Sequence, residues 1–178
     1  GWGEQATGFF RVRRREGKWW LITPEGNPCF YTGVSSLPGL VWETTPITER
    51  EFLYQWLPER EGRFAPAWAK NHWGGTDDTE YMCFYTCNLI RKYGDEWADK
   101  ATERALKRLR CWGFAGGGKW GAPAGVIENP VLSRWGTPSL AGHPDVFDPR
   151  VCDQFTEDLR KQITPRLDDP NVLGWSLG

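Results

Sequence analysis

A small set of polar and aromatic residues has the side-chain types that bind sugars. Lys119 and Trp120 are adjacent in the chain, so they offer a hydrogen-bond donor beside a flat aromatic face. Ser35, His143 and Ser176 can exchange hydrogen bonds with hydroxyl groups. All five residues follow or end segments that we predict to be strands. The sequence therefore predicts a substrate-binding set made of Ser35, Lys119, Trp120, His143 and Ser176.

Each of these residues also has a purely structural interpretation. Tryptophan often does no more than bury surface, and a loop lysine is often a solvated charge. His143 precedes a proline, as a turn histidine would. Asp145 and Asp148 flank a predicted helix start, where capping is the favoured role.

No pair of carboxylates in the sequence is assigned a catalytic role. Glu43 and Glu128 lie in predicted loops, where they could in principle serve as an acid and a base. Charged loop residues are usually solvated, and that interpretation is favoured for both.

The cysteines make a thin case for a metal site. Cys83 and Cys87 are one helical turn apart and His72 lies upstream, but the five cysteines contain no Cys-x-x-Cys pair. Free thiols packed as small hydrophobic side chains are the favoured alternative. We predict neither a metal nor a cofactor.

Composition narrows the classes of partner. The 22 Lys plus Arg nearly balance the 23 Asp plus Glu, which argues against nucleic acid and anionic membranes as partners. The sequence contains no apolar run long enough to span a membrane, and its N-terminus lacks the order of charges typical of a signal peptide. The 12 Trp are unusually many and indicate that flat aromatic faces are used.

The residues above must be positioned by alternating strands and helices. Residues 9–12 and Lys18–Ile22 predict a hairpin, and apolar periodicity predicts helices at 80–93, 96–110 and 150–167, the last distorted by Pro165. Four strands are predicted between and after them, at residues 29–34, 114–118, 138–142 and 171–177. The glycines of the second strand favour a close backbone approach or a barrel bend over a phosphate-binding loop.

This order predicts an α/β fold, namely half of a (β/α)₈ TIM barrel with about four parallel strands, preceded by an N-terminal β-hairpin. We expect a single domain over residues 1–178, with a hairpin cap at 1–28 and the strands and helices at 29–178.

Six segments in this order resemble β-agarase-like glycoside hydrolases of the large retaining barrel clan. The segments are GKWWLITPEG at 17–26, FYTGV at 30–34, NLIRKYG at 88–94, RLRCWGF at 108–114, DVFDP at 145–149 and DPNVLGW at 169–175. The chain departs from the family at 115–118, where relatives usually continue with an Asn-Thr type sequence and this chain has Ala-Gly-Gly-Gly. Sugar contacts from that strand end are therefore in question.

The resemblance implies a mechanism whose catalytic residues this chain lacks. Retaining hydrolysis needs one carboxyl group to protonate the leaving oxygen and a second to attack the sugar carbon. In the family these are a Glu after the fourth strand and a Glu on the seventh, and neither family position lies within these 178 residues. We therefore expect a carbohydrate-binding chain that is inactive alone.

Open edges of a half barrel would favour association, either as a homodimer or with a complementary half-barrel. The alternative is a non-catalytic carbohydrate-binding or interaction module that uses the Trp-rich region 35–78.

Overall fold

The computed structural model describes residues 3–38, 44–70, 78–133, 139–140 and 143–177. The chain divides into two compact units: unit 1 comprises Gly1–Ser36 and Leu109–Gly178, and unit 2 comprises Leu37–Arg108. The expectation of a single domain stays a prediction.

The strands are short, and several have only two residues. In chain order they are β1 (Arg11–Arg15), β2 (Lys18–Ile22), β3 (Pro28–Cys29), β4 (Gly33–Val34), β5 (Thr45–Pro46), β6 (Trp68–Lys70), β7 (Glu80–Met82), β8 (Gly116–Gly117), β9 (Val131–Leu132), β10 (Ser139–Leu140), β11 (His143–Pro144) and β12 (Ser176–Leu177). The helices are α1 (Phe84–Tyr93), α2 (Trp97–Cys111) and α3 (Pro149–Ile163), with 3₁₀ turns at Glu51–Leu53, Gly62–Ala67, Gly94–Glu96 and Thr164–Arg166.

The predicted parallel half barrel is wrong. Among the described residues the strands form five small sheets, and three of these are antiparallel: β1-β2-β3, β5-β7-β6 and β10-β11. Parallel pairing joins β4 to β8 and β9 to β12, as two separate pairs. The described strands therefore do not unite into one four-stranded parallel sheet.

The physical reason is visible in the predicted first strand. Residues 29–34 are split, because Cys29 belongs to an antiparallel pairing with β2 whereas Gly33–Val34 pairs with β8. Phe30, between the two parts, is 90% exposed, so this apolar run is not the doubly buried strand that its composition indicated.

The other predicted strands also differ. Within 138–142, Ser139–Leu140 turns back to pair with His143–Pro144 in antiparallel register, and the remaining residues of that range lie outside the described part. Within 171–177, the strand is confined to Ser176–Leu177, which pairs in parallel with β9, a strand that the sequence analysis missed. Residues 80–82 are a strand and not the start of α1.

The hairpin and the helices follow local sequence rules. The β1–β2 turn has positive φ at both Glu16 (51°) and Gly17 (78°), the backbone that suits the twist of a two-residue hairpin. Helix α3 begins with Asp148 as its N-cap and Pro149 in its first turn, and it passes into a 3₁₀ turn that contains Pro165. None of the helices in the described ranges combines the length and apolar character needed to span a membrane.

The core of unit 2 is one apolar cluster. Ile47, Ala67, Met82, Cys87 and Ile90 are buried together. Aromatic and aliphatic side chains pack around them, namely Tyr54, Leu57, Phe64, Trp68, Phe84 and Trp97. The described aromatic residues of the 35–78 region thus contribute in part to core packing.

Candidate functional site

Glycines in unit 1 bring three chain segments into close contact. A Cβ atom on Gly116 would lie 2.5 Å from the carbonyl oxygen of Ile127 and 2.5 Å from the hydroxyl of Tyr31. The Tyr31 hydroxyl donates to the carbonyl oxygens of Gly117 and Ile127, the latter at 3.0 Å. The favoured interpretation of these glycines, a close backbone approach, is confirmed.

The C-terminal ends of β4 and β8 place Ser35 beside the Lys119–Trp120 pair. The backbone N–H of Ser36 donates to the carbonyl of Lys119 at 2.9 Å, and a Cβ atom on Gly118 would lie 2.6 Å from Ser35 Oγ. The ammonium of Lys119 lies 4.9 Å from the centroid of the Trp120 ring, and Trp120 remains 54% exposed. An exposed indole, a cation and a hydroxyl therefore share one edge of the unit.

Two residues of this edge have an unusual backbone. Ser36 has φ of 56° and Trp120 has φ of 65°, a left-handed conformation that costs residues other than glycine roughly 1 kcal/mol. Such conformations tend to cluster at functional sites, where the surrounding structure holds them in place. Trp120 belongs to the predicted binding set, and Ser36 follows another member of it, Ser35.

Ser176 joins the same group through Asn129. Ser176 Oγ donates to Asn129 Oδ1 at 3.2 Å, and the backbone N–H of Asn129 donates to the carbonyl of Gly118 at 3.3 Å. Asn129 was missed by the sequence analysis, and its one sequence signal is that it precedes Pro130, the residue before β9. The structure thus gathers Ser35, Lys119, Trp120 and Ser176, with Asn129 between Ser176 and the rest.

His143 lies in a different pair of strands, β10–β11, where it is exposed and faces Leu140 across the ladder. Asp148 is the N-cap of α3, as favoured, and its Oδ1 accepts from the Arg150 N–H at 2.9 Å. Capping is wrong for Asp145, which lies before the helix and whose Oδ1 accepts from the Phe147 N–H at 3.1 Å in a local turn.

Glu128 is buried and ion-paired, so the prediction of a solvated loop carboxylate is wrong for this residue. Arg166 donates to Glu128 Oε1 at 2.6 Å and to Asp169 Oδ2 at 2.7 Å. Glu43, its proposed catalytic companion, lies outside the described residues.

The ion-pair network of Arg166, Glu128 and Asp169 also affects the pKa values of Arg166 and Asp169. Burial opposes the charge on Arg166, but the hydrogen bonds to Asp169 and Glu128 raise its pKa. The guanidinium of Arg166, followed by the backbone N–H of Asn171, lowers the pKa of Asp169. Burial, followed by electrostatic interaction with Cys29 and Glu128, raises the pKa of Tyr31 to about 12. Tyr31 therefore acts at neutral pH as a hydrogen-bond donor.

The thiols proposed for a metal site serve the core of unit 2. Cys83 and Cys87 are buried thiols, and Cys83 Sγ accepts from the backbone N–H of Thr86 at the start of α1. Burial raises the pKa of the Cys87 thiol, which disfavours the thiolate that binds metals. In the part of the chain that the structure describes, no three His, Cys, Asp or Glu side chains form a group suited to a metal ion, and His72 lies outside that part.

Comparison with known proteins shows what the chain is similar to. No protein-family model matches it. It is 30% identical to Beta-agarase B of Vibrio sp. (strain JT0107) over an alignment of 217 residues, which covers 98% of this chain and 22% of that protein.

Solved structures show the same likeness. One, the structure of PfGH50B, superposes with a TM-score of 0.79 at 25% identity, over 99% of this chain and 30% of that one. An agarase, AgWH50C, superposes with a TM-score of 0.78 at 27% identity, over 98% of this chain and 30% of that one. The chain spans less than a third of each of these proteins. The predicted likeness to β-agarases is confirmed, and the chain is agarase-like over nearly its whole length.

Proposed function

We propose that this chain forms part of an agarase-like glycoside hydrolase and that it contributes a binding surface for a neutral galactan. The observation that carries the proposal is the grouping of Ser35, Lys119, Trp120 and Ser176 at one edge of unit 1, in a chain similar over 98% of its length to Beta-agarase B. We name this grouping, together with Asn129, the Trp120 edge.

The chemistry of the Trp120 edge matches that of a sugar ring. The apolar C–H face of a pyranose packs on an exposed indole, while its hydroxyl groups need donors and acceptors. Lys119 supplies a donor beside the ring, and the side chains of Ser35, Asn129 and Ser176 supply further hydrogen-bonding groups. His143 is retained as a proposed contact from the β10–β11 pair.

We further propose that the 178-residue chain alone does not hydrolyse its ligand. Glu128 directly precedes Asn129 of the Trp120 edge. Its carboxylate is buried, and Arg166 holds it in an ion pair. Self-association is also proposed, on the ground that Phe30 and Phe147 leave large apolar side chains 90% and 92% exposed.

The test is titration calorimetry with agarose-derived oligosaccharides of four to eight residues. We expect binding by the chain, and replacement of Trp120 by Ala to weaken it about tenfold, the loss of roughly one stacking contact. Trp112→Ala is the matched control, because Trp112 is also exposed and belongs to the same unit. Equal affinity of the two variants would place the ligand elsewhere and overturn the assignment of the Trp120 edge.

Three further measurements on the same sample test the remaining parts of the proposal. Release of reducing ends from agarose by the purified chain would contradict the proposed inactivity. A monomer mass by light scattering would contradict self-association. Binding of cello-oligosaccharides as tightly as agarose oligosaccharides would favour a general carbohydrate-binding module, the alternative function.

A further inference from the structure

Positive charge is concentrated on the N-terminal hairpin. Residues 11–22 contain five basic side chains and one acidic one, in a chain whose formal net charge is -1. Strand β1, which carries four of these cations, lies at the edge of the β1-β2-β3 sheet. The hairpin is therefore a local cationic surface on a chain that is almost neutral as a whole.

The register of the hairpin places an arginine directly beside an open indole. Arg14 is opposite Trp19, and Val12 is opposite Leu21, on one face of the strand pair. Trp19 is 69% exposed and Val12 is 65% exposed, and Arg14 is exposed as well. We call this face, made of Val12, Arg14 and Trp19, the Arg14 face.

The acidic groups nearby neutralise other arginines. Glu4 forms ion pairs with Arg11 at 3.4 Å and Arg13 at 3.3 Å, and Glu16 lies 4.0 Å from Arg15. Among the described residues, Arg14 has no acidic partner within 4.0 Å. Its charge is therefore uncompensated on the face that also presents Trp19.

The backbone that presents this face is held from both sides. The two-residue turn at Glu16–Gly17 closes β1 on β2, and β3 pairs with β2 through Leu21 and Ile22. Ile22 is fully buried and anchors the strand. A preordered surface loses little freedom when a ligand binds, which favours affinity.

We propose that the Arg14 face binds an anionic polysaccharide, one that carries sulfate or carboxylate groups. The guanidinium of Arg14 can pair with such a group through two parallel hydrogen bonds, and the indole of Trp19 can stack on the adjacent sugar ring. Charge complementarity commits the face to an anion, and the likeness to β-agarases favours a saccharide. This site is separate from the Trp120 edge and does not depend on the function proposed for it.

The test compares dextran sulfate with dextran in affinity gel electrophoresis, because the two polymers differ only in their anionic groups. We expect the chain to be retarded by dextran sulfate and not by dextran. Arg14→Ala and Trp19→Ala should each weaken the retardation about five- to tenfold, and Arg14→Lys should restore part of it. Binding should weaken when NaCl is raised from 0.05 M to 0.5 M, because salt screens exposed charges.

The control variant is Arg104→Ala, which removes an exposed arginine from α2. Thermal melts of all variants check that they are folded. An equal loss on Arg104→Ala would show diffuse attraction and overturn the proposal. Reduced solubility of Arg14→Ala with unchanged retardation would mean that the arginines only protect the sheet edge. Tighter binding of a single-stranded oligonucleotide than of dextran sulfate would overturn the assignment to a saccharide.

Discussion

In unit 2, Ile47, Met82 and Ile90 are fully shielded from water within one apolar cluster, whereas unit 1 gathers its segments through backbone hydrogen bonds, glycines and an ion-pair network. The candidate binding groups belong to unit 1. An apolar core is indifferent to the polarity of a ligand, but a framework of backbone carbonyls and charged side chains can orient polar groups toward one. The difference indicates that stability and binding are carried mainly by different parts of this chain.

The largest effect is expected in the apolar core. Replacement of Ile90 by Ala should lower the free energy of unfolding by about 4 kcal/mol, because it removes buried methyl groups and leaves a cavity that the packed neighbours cannot fill. Chemical denaturation in urea measures this. Leu53→Ala is the control, since Leu53 is in the same unit and largely exposed. Equal losses in the two variants would contradict the description of unit 2 as the apolar core.

A somewhat smaller effect is expected where the glycines meet. Gly116→Ala should destabilise the chain by about 3 kcal/mol, because the new methyl group would overlap the backbone of Ile127, which cannot move without breaking its hydrogen bonds. Gly174→Ala is the control in the same unit, since a Cβ atom there meets nothing within 4 Å. If Gly116→Ala unfolds at the urea concentration of the control, the close approach of the segments is wrong.

The helices and strands show which parts of the fold could be predicted from the sequence alone. Helix α2 was predicted to within one residue at each end, because apolar periodicity is a local signal. The start of α3 was also predicted to within one residue, but the helix ends at Ile163, four residues earlier than predicted, where the 3₁₀ turn with Pro165 begins. Residues 80–82 were assigned to a helix, since a short apolar run fits a strand equally well. Two-residue strands such as β9 leave no periodic signal, and the partner of Gly33 is Gly116, far along the chain.

The candidate site likewise contains residues that the local sequence predicts and residues that only the folded chain brings together. Residue type, together with position after a predicted strand, nominated Trp120 and Lys119. Position at a predicted helix start correctly favoured capping for Asp148. The burial of Glu128 could not be read from the sequence, because its partner Arg166 is 38 residues away and only the folded backbone brings them together. Asn129 was missed for the same reason, since its role depends on Gly118 and Ser176.

The smallest effect concerns the pH dependence of unit 1. The hydrogen bond from Arg166 lowers the pKa of Asp169 in the folded chain, so this group stabilises the fold fully above the ordinary Asp value of 3.8 and loses that contribution as the pH falls through the lowered folded value. The difference in unfolding free energy between the chain and Asp169→Asn should thus be about 1 kcal/mol at pH 7 and shrink toward pH 3.

The measurement is a urea titration at each pH. Asp153→Asn, on an exposed position of α3, is the control and should show a smaller pH-dependent difference. A difference for Asp169→Asn that stays constant from pH 7 to pH 3 would separate Asp169 from the ion-pair network and narrow the contrast between the two units.

The left-handed backbone at position 120 favours glycine, whereas the proposed stacking on a sugar ring needs an aromatic side chain. Glycine would relieve the conformational cost at φ of 65° but would delete the indole, while any other aromatic residue would keep the ring and retain the cost. Selection for stability alone would therefore drive this position toward glycine. A tryptophan that persists there in sequences related to this chain would be a record of selection for the ring itself.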